Sequence, residues 1–90
     1  MSATILIVDD MADNRLLLDA LLNDKYTIQL AESGQQCLDM VSEKKPDLIL
    51  LDLVMPVMDG FEVCTKLKII TTPKTFLLFL LLRLLVTMRN

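Results

Sequence analysis

Ile5-Leu6-Ile7-Val8 is an almost uninterrupted run of β-branched and aliphatic residues, the pattern of a strand covered on both faces, and it stops at Asp9-Asp10. From Asn14 to Leu22 the apolar positions recur at helical spacing, pairing Leu17 with Leu21 and Leu18 with Leu22. Tyr26 to Ala31 alternates, as a strand nearer a sheet edge would. Ser33-Gly34-Gln35-Gln36 carries the S-x-x-Q signature of a helix start. In the helix it opens, Cys37, Met40 and Val41 form one apolar stripe, with Asp39 and Glu43 facing away. Lys45-Pro46 ends that helix, because the residue before a proline disfavours the α region. Leu48-Ile49-Leu50-Leu51 is a third buried strand and again stops at an aspartate, Asp52.

Met55 to Gly60 reads as a loop, and Asp59-x-x-Glu62 as a second capping pattern for a helix that turns Phe61, Cys64 and Leu67 inward. Strand and helix thus alternate three times, and buried strands in that order imply a parallel sheet with right-handed crossovers. After Lys68 the character changes. Ile69 to Thr75 has the look of a loop, and Phe76 to Val86 is apolar except for Arg83. This tail admits three readings: a buried fourth strand over Phe76 to Leu82, a helix packed on the sheet or on another subunit, or a membrane span. The last is disfavoured, since the run falls short of 18 residues and contains an arginine.

Composition narrows the chemistry. The net charge of −3 argues against direct nucleic-acid binding, which needs a basic surface. The absence of histidine removes the commonest general base and transition-metal ligand. Cys37 and Cys64 have no metal or redox spacing and read as buried free thiols. The first residues carry no signal-peptide pattern, so a cytoplasmic location is expected.

Three carboxylates remain. In an open parallel α/β sheet, ligands bind beyond the carboxyl ends of the strands. If the first and third strands are neighbours, Asp9, Asp10 and Asp52 converge there. Carboxylates crowded together raise one another's pKa or recruit a cation, and an oxygen-only donor set suits Mg²⁺. A carboxylate beside Mg²⁺ can attack phosphorus and form an acyl phosphate.

Ile7-Val8-Asp9-Asp10, Asp47-Leu48-Ile49-Leu50-Leu51-Asp52 and the stretch Asp52-Leu53-Val54-Met55-Pro56-Val57-Met58-Asp59-Gly60-Phe61-Glu62 resemble a response-regulator receiver domain of two-component signalling. The resemblance covers residues 1–68, three βα units, and leaves 69–90 as a divergent leucine-rich tail of the same domain. It implies a flavodoxin-like (CheY-like) α/β fold, incomplete here, with a parallel sheet and helices on both faces. It further implies that Asp52 accepts a phosphoryl group from a histidine kinase or phosphotransfer protein. Among the metal residues Asp9, Asp10, Asp52 and Val54, Asp10 would bind Mg²⁺ directly and Asp9 largely through water, with the backbone carbonyl of Val54 completing the protein ligands. Pro56 and Gly60 would shape the loop after the acceptor.

The family also places a Ser or Thr after its fourth strand and a Lys after its fifth. By length the hydroxyl falls near Leu81, Leu82 or Arg83, Thr87 is the nearest candidate, and no Lys-Pro pair follows. The expectation is therefore a phosphoacceptor, not an enzyme beyond its own phosphorylation and dephosphorylation, with an impaired switch. A rival reading is a non-signalling remnant of a truncated or frame-shifted gene, self-associating through the tail. A Mg²⁺-dependent phosphohydrolase is disfavoured, because such enzymes want an aspartate two residues after the nucleophile, where this chain has Val54.

Overall fold

The computed structural model describes residues 3–52, 57, 62, 63, 65–67 and 76–80. In chain order the elements are β1 (Thr4–Val8), α1 (Ala12–Leu22), β2 (Thr27–Ala31), α2 (Gly34–Glu43), β3 (Leu48–Asp52) and β4 (Phe76–Leu80). Residues 62, 63 and 65–67 are helical. The four strands form one parallel sheet in the order β2-β1-β3-β4. The alternating segment is thus an edge strand, and the two aliphatic runs are the central pair. Part of the apolar tail joins as β4, each residue from Phe76 to Leu80 opposite one from Leu48 to Asp52. The sheet has the parallel α/β architecture expected of a flavodoxin-like fold, with a strand beyond the three βα units.

Element boundaries shift where hydrogen bonds override periodicity. Helix α1 begins at Ala12, two residues before the apolar repeat, because the Arg15 N–H already donates to the Met11 carbonyl (3.2 Å). Strand β2 begins at Thr27 because the Tyr26 N–H closes the end of α1 on the Leu22 carbonyl (3.0 Å). At the start of α2 the Ser33 hydroxyl accepts from the Gln36 N–H (3.1 Å). The Gln36 side chain accepts in return from the Glu32 N–H (2.8 Å), one residue upstream of the usual reciprocal bond. At the far end Lys44 is already extended (φ −151°, ψ 116°), so the helix stops before Lys45-Pro46. Asp47 then ties the start of β3 to the start of β1, its carboxylate accepting from the Thr4 N–H (2.7 Å) while its own N–H donates to the Thr4 carbonyl (2.9 Å).

Side chains alternate across the pleat, so the sheet divides the apolar residues into two layers. Under α2 and the helical residues 63 and 67, Leu6, Val8, Ile49 and Leu51 pack with Cys37, Val41, Val63 and Leu67, all without solvent contact. Under α1 lie Ile5, Ile7 and Leu50, covered by the half-buried Leu18 and Leu22. Burial pushes the Cys37 thiol up to about 12, so it stays protonated. The inward placement foreseen for Leu67 holds, whereas Phe61 and Cys64 lie outside the described residues. Among the described residues no helix is long and apolar enough to cross a membrane.

Candidate metal centre

Strands β1 and β3 run side by side in register, Val8 opposite Leu51, so Asp9 and Asp52 emerge level with each other at the carboxyl edge. Asp10 follows at once. Each of the three offers a carboxylate oxygen, and these oxygens lie within 4.8 Å of one another. Asp9 and Asp52 are buried and Asp10 is half-buried. Two strand ends thus bring together the acidic residues that the sequence singled out.

Asp9 is held from every side. Its N–H donates to the Ala31 carbonyl (3.1 Å), carrying the β1–β2 ladder one residue past the strand. One carboxylate oxygen accepts from the Met11 N–H (2.9 Å), a local turn that leads the chain into α1. The other accepts from the Asn14 side-chain amide (3.1 Å). The Arg15 guanidinium donates to the Asp9 carbonyl (2.8 Å) and reaches the Glu32 carboxylate at 3.8 Å, bridging the ends of β1 and β2. Burial raises the Asp9 pKa above its ordinary value, the Met11 and Asn14 bonds pull it back, and the negative charges of Asp52 and Asp10 raise it further. Asn14 and Arg15 carry no motif signal. Their only trace in the sequence is a polar pair one turn into a helix whose first strand ends in aspartate.

The donor set fits a hard divalent cation: oxygen ligands only, three carboxylates converging, and charge repulsion that a cation would relieve. Val54, whose carbonyl was expected as a ligand, lies outside the described residues, as do Pro56, Asp59 and Gly60. Val57 is described. It is fully exposed with φ at 69°, a left-handed conformation that costs a β-branched residue about 1–3 kcal/mol.

A parallel α/β sheet with three carboxylates converging at its carboxyl edge is an arrangement suited to a hard cation. The family model "Response regulator receiver domain" matches residues 5–80, extending past Lys68 through β4. The chain belongs to that family. It is 51% identical over 69 residues to response regulator PleD of Caulobacter vibrioides, a match spanning 76% of this chain and 15% of that protein. It is 44% identical over 71 residues to sporulation initiation phosphotransferase F of Bacillus subtilis, spanning 78% of this chain and 57% of that protein. The N-terminal domain of a response regulator receiver protein from Methanoculleus marisnigri superposes with a TM-score of 0.76 at 36% identity, over 86% of this chain and 64% of that one. The chain thus spans less than two thirds of the length of these curated relatives. Receiver domains are modules of two-component signalling rather than ordinary enzymes. As a family they bind Mg²⁺ in an acidic pocket and interact with histidine kinases or phosphotransfer proteins.

Proposed function

We propose that this chain is a phosphoacceptor module of a cytoplasmic two-component relay, in which Asp52 takes a phosphoryl group from a phosphohistidine of a kinase or phosphotransfer protein. In that step an Asp52 carboxylate oxygen attacks phosphorus, the phosphorus–nitrogen bond breaks, and the leaving imidazole keeps the electron pair and takes up a proton. Asp10 and Asp52 would hold Mg²⁺ directly, Asp9 through water, with the Val54 carbonyl as the remaining protein donor. When bound, the ion supplies charge neutralisation for the incoming phosphoryl oxygens. The protein's own part is to fix Asp9 through Met11 and Asn14, to bury Asp52, and to bring carboxylate oxygens of Asp9, Asp10 and Asp52 within 4.8 Å of one another.

The observation that carries this reading is the convergence of three carboxylate oxygens within 4.8 Å at the ends of β1 and β3, in a chain of this family. Phosphorylation adds roughly −1.5 to −2 charges to an already acidic site. The test is incubation with Mg²⁺ and acetyl phosphate, read by intact mass. A gain of one phosphoryl group that Asp52→Asn and a chelator each abolish supports the reading. No gain at high donor concentration, from protein shown to be folded, refutes it.

A further inference from the structure

Both oxygens of the Asp9 carboxylate are engaged from the start of α1. One accepts from the Met11 N–H (2.9 Å) and the other from the Asn14 side-chain amide (3.1 Å). The same amide nitrogen also donates to the Met11 thioether (3.8 Å), so the Asn14 side chain is itself held by two partners. The Asp9 main chain is fixed as well, its N–H on the Ala31 carbonyl and its carbonyl on the Arg15 guanidinium. Asp9 therefore cannot swing toward an ion without breaking a bond to α1. Of the two donors to its carboxylate, only Asn14 is a side chain. Asn14 is half-buried and belongs to neither apolar cluster, so packing does not account for it.

We propose that Asn14 is the positioning residue that sets the cation preference of this site, holding the Asp9 carboxylate in one orientation and so favouring Mg²⁺ over Ca²⁺. Mg²⁺ demands near-ideal octahedral geometry at about 2.0–2.1 Å and keeps several waters, whereas Ca²⁺ takes roughly six to eight oxygens at about 2.3–2.6 Å in flexible geometry. A carboxylate locked by two donors suits the first ion. One free to reorient can add an oxygen to the coordination of the second. Outer partners of this kind orient the groups around a metal, and losing one typically costs about 10–100-fold in affinity. The inference rests on the reading of Asp10 and Asp52 as direct ligands and adds the residue that decides which ion they take.

The test is an amide NMR titration of the full chain with Mg²⁺ and, separately, with Ca²⁺, which reports both the dissociation constants and whether each variant is folded. Asn14→Leu keeps the size of the side chain and removes the donor. It should weaken Mg²⁺ binding about ten-fold while leaving Ca²⁺ binding unchanged or tighter, so that the ratio of the two constants moves about ten-fold toward Ca²⁺. Should that variant fail to fold, Asn14→Ala makes the same cut with the best helix former. A purely structural role would weaken both ions by the same factor. A ratio that stays constant or moves toward Mg²⁺, in a folded variant, therefore overturns the proposal and leaves the metal reading of the site standing. A parent chain that binds no Mg²⁺ overturns that reading and this inference with it.

Discussion

The two sides of the sheet are built unequally. On the α2 side, ten described residues form a single buried cluster, and α2 contributes four buried residues of its own. On the α1 side three residues are buried, and no residue of α1 is. Both helices are of similar length, eleven and ten residues, so the contrast lies in what each helix meets. Helix α2 shares its side with the helical residues around Val63 and Leu67, whereas α1 is the only helix described over its side. Among the described residues, buried apolar packing is therefore concentrated in one layer. The acidic site draws on both, since α1 supplies Asn14 and Arg15 and the central strands supply the aspartates.

The sharpest way to expose the contrast is to empty each layer in turn. Leu6 has no solvent contact and sits in the larger cluster, so Leu6→Ala should cost about 2–5 kcal/mol, a large share of a small domain's stability. Leu18→Ala, which removes a half-buried contact on the α1 side, should cost less than half as much. Urea unfolding followed by circular dichroism measures both. Equal losses would show that the two layers are equivalent.

The site adds a pH-dependent term that belongs to the ends of the strands and to neither layer. Asp9 has a folded pKa raised above its ordinary 3.8. Below 3.8 it is protonated whether folded or not. As pH climbs from there through the folded value, the unfolded chain ionises first, so the Asp9 contribution to stability falls and then levels off. Asp9→Asn should remove that decline and leave the cation-free protein more stable at neutral pH. Unfolding midpoints from pH 3.5 to 8, with and without Mg²⁺, test this, and Mg²⁺ should stabilise the parent chain more than the variant.

Much of this was legible before the fold. Aliphatic runs at Ile5–Val8 and Leu48–Leu51 marked strands buried on both sides, and their abrupt ends placed Asp9, Asp10 and Asp52 at one edge once the strands were neighbours. Helical spacing in α1 offered two leucine pairs but could not say which faced the sheet; Leu18 and Leu22 do, while Leu17 and Leu21 are exposed. Phe76–Leu80 was equally readable as strand or helix, because a leucine-rich run satisfies both patterns until a partner strand decides. Asn14 and Arg15 were missed because their bonds to Asp9 depend on where the first turn of α1 sits against the strand end.

The well-packed layer contains one flaw that offers a smaller test. Gln29 lies opposite Leu6 in β2, and its side-chain oxygen is buried without a hydrogen-bond partner among the described residues. A buried acceptor with no partner carries its full desolvation cost. Gln29→Met keeps the length and removes the polar atoms, and should raise stability by about 1 kcal/mol. A loss instead would mean that this oxygen is satisfied in solution.

The smallest effect belongs to the outer surface of α1. Leu16 is 61% exposed and, two residues before Leu18, lies on the opposite side of the helix from it. It contributes little burial in either layer, and lysine is as good a helix former as leucine. Leu16→Lys should therefore shift the unfolding free energy by less than about 0.5 kcal/mol. The same substitution should improve solubility, since Leu16, Leu17 and Leu21 together expose apolar surface along α1. A loss of 1 kcal/mol or more would mean that the outer surface of α1 is covered in solution, and the inequality between the two sides would then be smaller than the described residues show.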